Sequence, residues 1–291
     1  MSTVPPVDPH RAAAARGGSA RRRWLPVVLL LWFALLAGVG YLSARQDPPS
    51  VREQRSVGEA EPRVDRAAGA LIAAAGPGVL AELGEARVDR GCRLSAVWDG
   101  AILTRTVTVR TGPDDDAARV LDLIADGLPA EYRAGTRPGG NGDGPRLRAD
   151  AGEFVSVTGA VTAPGLIELT IATGCRPAEP PATGEELTIG APVDGEPARI
   201  LTALGLPAPE PDRQSRTVAP CPGTGATYTA RATAPGTPTA GLAAALGPLA
   251  TGGSVVVDTP ELYGYRSDRY GVTARVVDGE TRVTVTSGCP A

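Results

Sequence analysis

Apolar residues run along this chain in three rhythms. The first is continuous. From Trp24 to Ala44 the sequence reads WLPVVLLLWFALLAGVGYLSA, with no charged residue. At about 1.5 Å rise per residue, these 21 residues would span about 30 Å, the thickness of a bilayer core. Trp24 and Tyr41 lie near its ends, where amphipathic aromatics favour the interface. Pro26 falls in the expected first turn, where its missing N–H costs little. The stretch predicts a transmembrane helix over residues 24–44.

Arg11, Arg16, Arg21, Arg22 and Arg23 precede this segment. Basic flanks stay on the cytoplasmic side, so residues 1–23 are expected to form a cytoplasmic tail and the rest to lie outside the plasma membrane. A cleaved signal peptide is the rival reading. Its apolar core is shorter, about 7–15 residues, and ends in small residues of the A-x-A kind. The Leu42-Ser43-Ala44 ending matches that poorly, and the long apolar run favours an uncleaved signal-anchor.

The second rhythm has helical spacing. Around Pro62 to Ala75 it is carried mainly by alanines with Leu71 and Ile72, and Leu80 and Leu83 are expected to continue it. It recurs at Val120, Leu121, Ile124 and Leu128, at Ile200, Leu201 and Leu204, and at Leu242, Leu246 and Leu249. Asp114 to Asp116 precede the second of these helices, where a cap and the helix dipole favour negative charge.

The third rhythm alternates apolar and polar residues. Asp99-Gly100 reads as a hairpin turn before the run Leu103 to Val109. Phe154, Val155, Val157 and Val161 face Ile167, Leu169 and Ile171 across Pro164-Gly165. Val272, Val276 and Val277 face Val283 and Val285 across Asp278-Gly279. Alternation with Thr, Glu and Arg predicts sheets with one buried and one wet face.

The last strands match. LTIATGC ends at Cys175 and VTVTSGC at Cys289, and in both the turn glycine leads its cysteine by ten residues. The match predicts one module present twice. The expected fold is α+β: the transmembrane helix, a stalk over 45–60, a first module over 61–177, a linker over 178–186 and a second module over 187–291. Each module is expected to run α-β-β-α-β-β, an antiparallel sheet with helices on one face. The repeat also selects one of the three pairings that four cysteines allow, Cys92–Cys175 and Cys221–Cys289. Disulfides suit an oxidising exterior, whereas the spacings of 83, 46 and 68 residues fit no common zinc pattern.

Composition then restricts the chemistry. All 29 basic residues are arginine, which points to coding bias in a high-GC bacterium, and the one histidine is His10 in the tail. Lysine and histidine mechanisms are therefore missing from the exterior. The tail carries five arginines and one aspartate, leaving 24 arginines against 31 acidic residues elsewhere. An acidic body argues against nucleic acid as a partner. Glu153, Glu168, Asp258, Glu261 and Asp268 are carboxylates that a glycoside hydrolase would need in pairs, and nothing places any two together. No enzyme, cofactor or metal site is expected.

One stretch remains. ELYGYRSDRYG holds Tyr263, Tyr265, Arg266, Arg269 and Tyr270, three of the five tyrosines after residue 44. Tyrosine and arginine are enriched at binding hot spots, so the stretch is a candidate surface for a cell-wall polymer or envelope protein. Packing at a strand edge, with arginines over the rings, is the plainer alternative. The expected function is a non-enzymatic, membrane-anchored envelope protein that binds or positions a partner. The alternatives are a sensory or accessory subunit of a membrane complex and a carboxylate-dependent wall hydrolase.

Overall fold

The computed structural model describes residues 19–46, 55–96, 98–140, 144–179 and 193–290. The expected tail before residue 19, residues 47–54 of the stalk and the linker from residue 180 lie outside the described residues. Two compact units result, Met1–Pro49 and Ser50–Ala291. The first contains one helix, α1 (Ser19–Gln46). It begins five residues earlier than the apolar run, so Pro26 sits inside the helix rather than in its first turn. Its stretch Pro26–Ser43 is long and apolar enough to cross a membrane, and none of it is buried.

The second unit is mixed α+β with two antiparallel sheets. It opens with α2 (Val57–Ala75). Ser56 caps this helix, its hydroxyl accepting from the Glu59 amide while the Glu59 carboxylate accepts from the Ser56 amide. The expected stalk therefore ends before Ser56, because that reciprocal cap starts the helix there. The strands β1 (Leu80–Leu83), β2 (Arg87–Ser95) and β3 (Trp98–Arg110) follow. Leu80 and Leu83 belong to a strand, not to a continued helix, since Gly76 ends α2 with φ 74°. Next come α3 (Ala117–Gly127), β4 (Gly135–Arg137), β5 (Arg146–Asp150), β6 (Ser156–Ala163) and β7 (Leu166–Ala172). The second half has α4 (Glu196–Ala203), β8 (Gln214–Pro220), β9 (Ala226–Pro235), α5 (Leu242–Leu246), β10 (Ser254–Thr259), β11 (Leu262–Arg266), β12 (Tyr270–Val277) and β13 (Glu280–Ser287).

One sheet runs β2-β3-β7-β6-β5-β4, with β1 pairing beside β2 on the same edge of β3. The other runs β8-β9-β13-β12-β11-β10. Position by position the two orders coincide. The first half thus has three more strands than the α-β-β-α-β-β expectation, and the second half two more. The connection after α3, which holds Gly139, Gly140, Gly142 and Gly144, contains β4 and β5, and the tyrosine-rich stretch contains β11. Glycines diluted the alternation there, so the periodicity was too weak to read. The opening hairpin also turns earlier than expected, between Ser95 and Trp98. Asp99 and Gly100 lie inside β3, paired with Arg93 and Cys92. Gly100 is needed for close approach: a Cβ there would lie 2.6 Å from the Arg176 carbonyl oxygen and 2.7 Å from Cys175 Sγ. Phe154 is not in a strand either. It sits exposed in a turn where Glu153 and Phe154 both have left-handed φ, 52° and 60°.

Helix α2 joins the halves. It packs on β3, β7 and α3 of the first half and on β8 and β9 of the second. That double contact accounts for its small residues. Ala60, Ala67, Ala68 and Leu71 are all fully buried, and a Cβ on Gly69 would lie 1.8 Å from the Pro220 carbonyl oxygen.

Candidate functional site

The cysteines are joined Cys92–Cys175 and Cys221–Cys289, each bridge within one half, and no described cysteine is free. Beside the first bridge, Arg176 is fully buried. Its guanidinium donates to the carbonyls of Thr173 (3.0 Å), Arg55 (3.1 Å) and Glu153. The Glu153 carboxylate accepts from Arg63 at 2.7 Å, which lowers its pKa. The amides of Val57 and Gly58 donate to Pro177 and Glu179. Together these contacts clasp the start of α2 to the end of the first half. They occupy Glu153, one of the carboxylates a hydrolase would have needed. Among the described residues, no three His, Cys, Asp or Glu side chains are grouped to hold a metal ion.

The tyrosine-rich stretch is divided by the pleat. Tyr263 and Tyr265 pair with Ala274 and Val272 and point into the second core, 3% and 2% exposed. Their rings lie 6.4 Å apart, tilted by 52°. Burial raises the Tyr263 hydroxyl pKa and pushes that of Tyr265 up to about 12. Tyr270 is half-buried, its hydroxyl reaching Glu196 at 3.4 Å. Arg266 is on the opposite face of β11 and donates to the Val79 carbonyl, and burial lowers its pKa. Only Arg269 of the five is exposed. A solvent-facing tyrosine surface is therefore corrected to core packing: strand alternation sends Tyr263 and Tyr265 to the helix side.

The opposite face of the second sheet holds what the sequence reading missed. Thr229, Thr273, Thr284 and Thr286 alternate with the core valines and alanines, yet all are buried. The chain from Val79 to Gly84, including β1, lies across them. Leu80 fits a pit left by Gly264 and Gly271, where a Cβ would lie 2.6 and 2.7 Å from its methyls. Thr229 accepts from the Leu83 amide at 3.3 Å and shares a 2.8 Å hydrogen bond with Thr286. The Leu83 carbonyl accepts from Thr217 at 3.2 Å and from Arg231, and Thr273 donates to Glu82 at 2.7 Å. Arg105, also buried, donates to the Gly84 carbonyl at 3.0 Å and to Asp65 on α2. Burial raises the Asp65 pKa more than Arg105 lowers it. The available signal was glycine inside strands, at Gly264 and Gly271, which marks close approach of another element.

Two concave surfaces flank this junction, each of about 680 Å3. One is a polar cleft with mixed charge, walled by Glu85, Arg87, Asp89, Arg213 and Arg282. Within it Arg213 is already paired with Glu280. The other is an apolar groove between β10 and the turns of the first half.

No protein-family model and no curated protein matches this chain. Among solved structures it is similar to a DUF4853 family protein from Actinomyces odontolyticus, with 12% identity and a TM-score of 0.33. That likeness covers 62% of this chain and 96% of the other.

Proposed function

We propose that this is a non-enzymatic, single-pass membrane protein whose body, two copies of one module, lies outside the cell and binds or positions an envelope component. The supporting observation is one combination. The apolar stretch of α1 is uncovered by protein, and both disulfides lie on its C-terminal side. Uncovered apolar length suits lipid, and paired cysteines suit an oxidising compartment. The arginines before Trp24 favour a cytoplasmic N-terminus. The coinciding strand orders and the matched tails support duplication. The polar clasp and threonine interface spend their charged groups on structure, which favours binding over catalysis.

Topology is tested with single cysteines added to the full-length chain in membranes. Arg269→Cys is expected to react with an impermeant maleimide in intact cells, and Thr3→Cys only after lysis. The reverse pattern would overturn the orientation. The catalytic alternative has its own readout. Purified chain incubated with isolated cell wall is expected to release no soluble fragments, and steady release would make it a hydrolase.

A further inference from the structure

Every sheet edge offers unpaired backbone groups, and proteins protect such edges with charge, proline, bulges or brevity. Three edges here follow that rule. β4 has three residues. β2 carries Arg87, Asp89, Arg90 and Arg93 and two register irregularities. β8 ends in Pro220 and lies against α2. The fourth edge follows it least. β10 reads SVVVDT, has a single irregularity, and pairs among the described residues only with β11. Val255 is 47% exposed on it. The other side of β10 borders the apolar groove, whose opposite wall is Pro113, Pro145, Val161 and Pro164. Prolines donate no backbone hydrogen bond, so this wall contributes apolar surface while β10 contributes donors and acceptors. The rim is acidic. Asp115, Asp116 and Asp258 are exposed there, against one lining cation, Arg110.

We propose that the β10 edge and this groove take up an extended segment of a partner protein as an added antiparallel or parallel strand. Strand addition uses the main chain for affinity and alternate side chains for selection. The segment would place apolar residues against Val255, Val257 and the proline wall, and basic residues beside the three aspartates. This deepens the reading of the protein as a binding module by naming its surface and its ligand chemistry.

The test uses the purified full-length chain in detergent and a fluorescent decapeptide of alternating valine and arginine. Anisotropy is expected to show saturable binding. The same peptide N-methylated at every second residue is expected to bind at least about tenfold more weakly, since one hydrogen-bonding edge is removed. Val255→Lys is expected to weaken binding by about tenfold, and Asp258→Lys by about threefold through charge alone. Thr158→Lys, at an exposed position of the first sheet outside the groove, is expected to leave it unchanged. Equal binding of the methylated peptide, or no binding of the plain one, would overturn the proposal. If Val255→Lys fails to fold, judged by disulfide mapping, Asp258→Lys decides alone, and an unchanged affinity overturns the proposal. A concentration-dependent dimer that excludes the peptide and disappears in Val255→Lys would assign the edge to a second copy and overturn the partner. The assay needs no membrane orientation, so its failure leaves the topology open, and a reversed topology leaves strand addition standing.

Discussion

The two sheets carry the same alternation of threonine with aliphatic residues and meet opposite fates. In the first sheet, Thr104, Thr106, Thr108 and Thr170 are only half-buried and Thr158 is exposed. In the second, Thr229, Thr273, Thr284 and Thr286 lie at 5% exposure or less beneath β1 and its flanks. Threonine tolerates both because its methyl packs and its hydroxyl finds a partner. Where the face is covered, Thr229 meets Thr286 and the Leu83 amide, and Thr273 meets the Glu82 carboxylate. The difference therefore lies in what covers the face, not in the face itself.

The strongest way to break the comparison is to loosen each half separately. Removing one bridge as Cys92→Ser with Cys175→Ser, or the other as Cys221→Ser with Cys289→Ser, is expected to cost about 4 kcal/mol by loop entropy. Loops of 83 and 68 residues predict nearly equal losses. Urea unfolding of the two variants measures this. A markedly larger loss for Cys221–Cys289 would show that the second half depends on its bridge to stay docked.

Leu80→Ala comes next. It empties the pit over Gly264 and Gly271 and is expected to cost about 3 kcal/mol. Val88→Ala, on an exposed strand residue, serves as its control and is expected to lie within about 0.5 kcal/mol of the parent. A thermal shift of similar size in both would mean that β1 does not hold the sheets together.

The threonines give the sharpest contrast for the smallest chemical change. Thr229→Val leaves the Leu83 amide and the Thr286 hydroxyl without their partner, an expected loss of about 1–2 kcal/mol. Thr158→Val, at an exposed position of the first sheet, is expected to be within about 0.5 kcal/mol. Equal effects would erase the distinction between the faces.

What was legible in the sequence follows from period and spacing. The uncharged run gave α1, the matched tails gave β7, β13 and the cysteine pairing, and the three aspartates marked the start of α3, where Asp116 does accept from the Ala118 amide. Short strands rich in glycine were illegible. β4 has three residues, and β11 reads LYGYR, too brief to separate from a loop. The covering of the second sheet was illegible for a different reason. Alternation reports that two faces differ and cannot report that another half of the chain lies on the polar one. The choice between surface and core for Tyr263 and Tyr265 was left open by the same gap, since their side of β11 is fixed by register with β12.

Acid should separate the two kinds of contact. The Arg63 hydrogen bond holds Glu153 below the usual carboxylate range, with burial opposing it. A depressed folded pKa contributes stability above the unfolded value, and that contribution is lost as pH falls through the folded one. Asp65 has the opposite sign: burial raises its pKa, so its share is lost as pH rises. Lowering the pH from about 5 to about 3 is therefore expected to loosen the clasp at Arg55 to Gly58, while the hydroxyl and carbonyl bonds of the threonine face persist. Hydrogen exchange resolves this locally. The Val57 and Gly58 amides, bonded to Pro177 and Glu179, are expected to lose protection first, and the Leu83 amide to keep it. In Glu153→Gln the Val57 and Gly58 amides should exchange faster than in the parent at neutral pH and change little on acidification. Loss at Leu83 in step with Val57 would mean that the clasp and the interface open as one unit, and that the covered face is held by the same device as the start of α2.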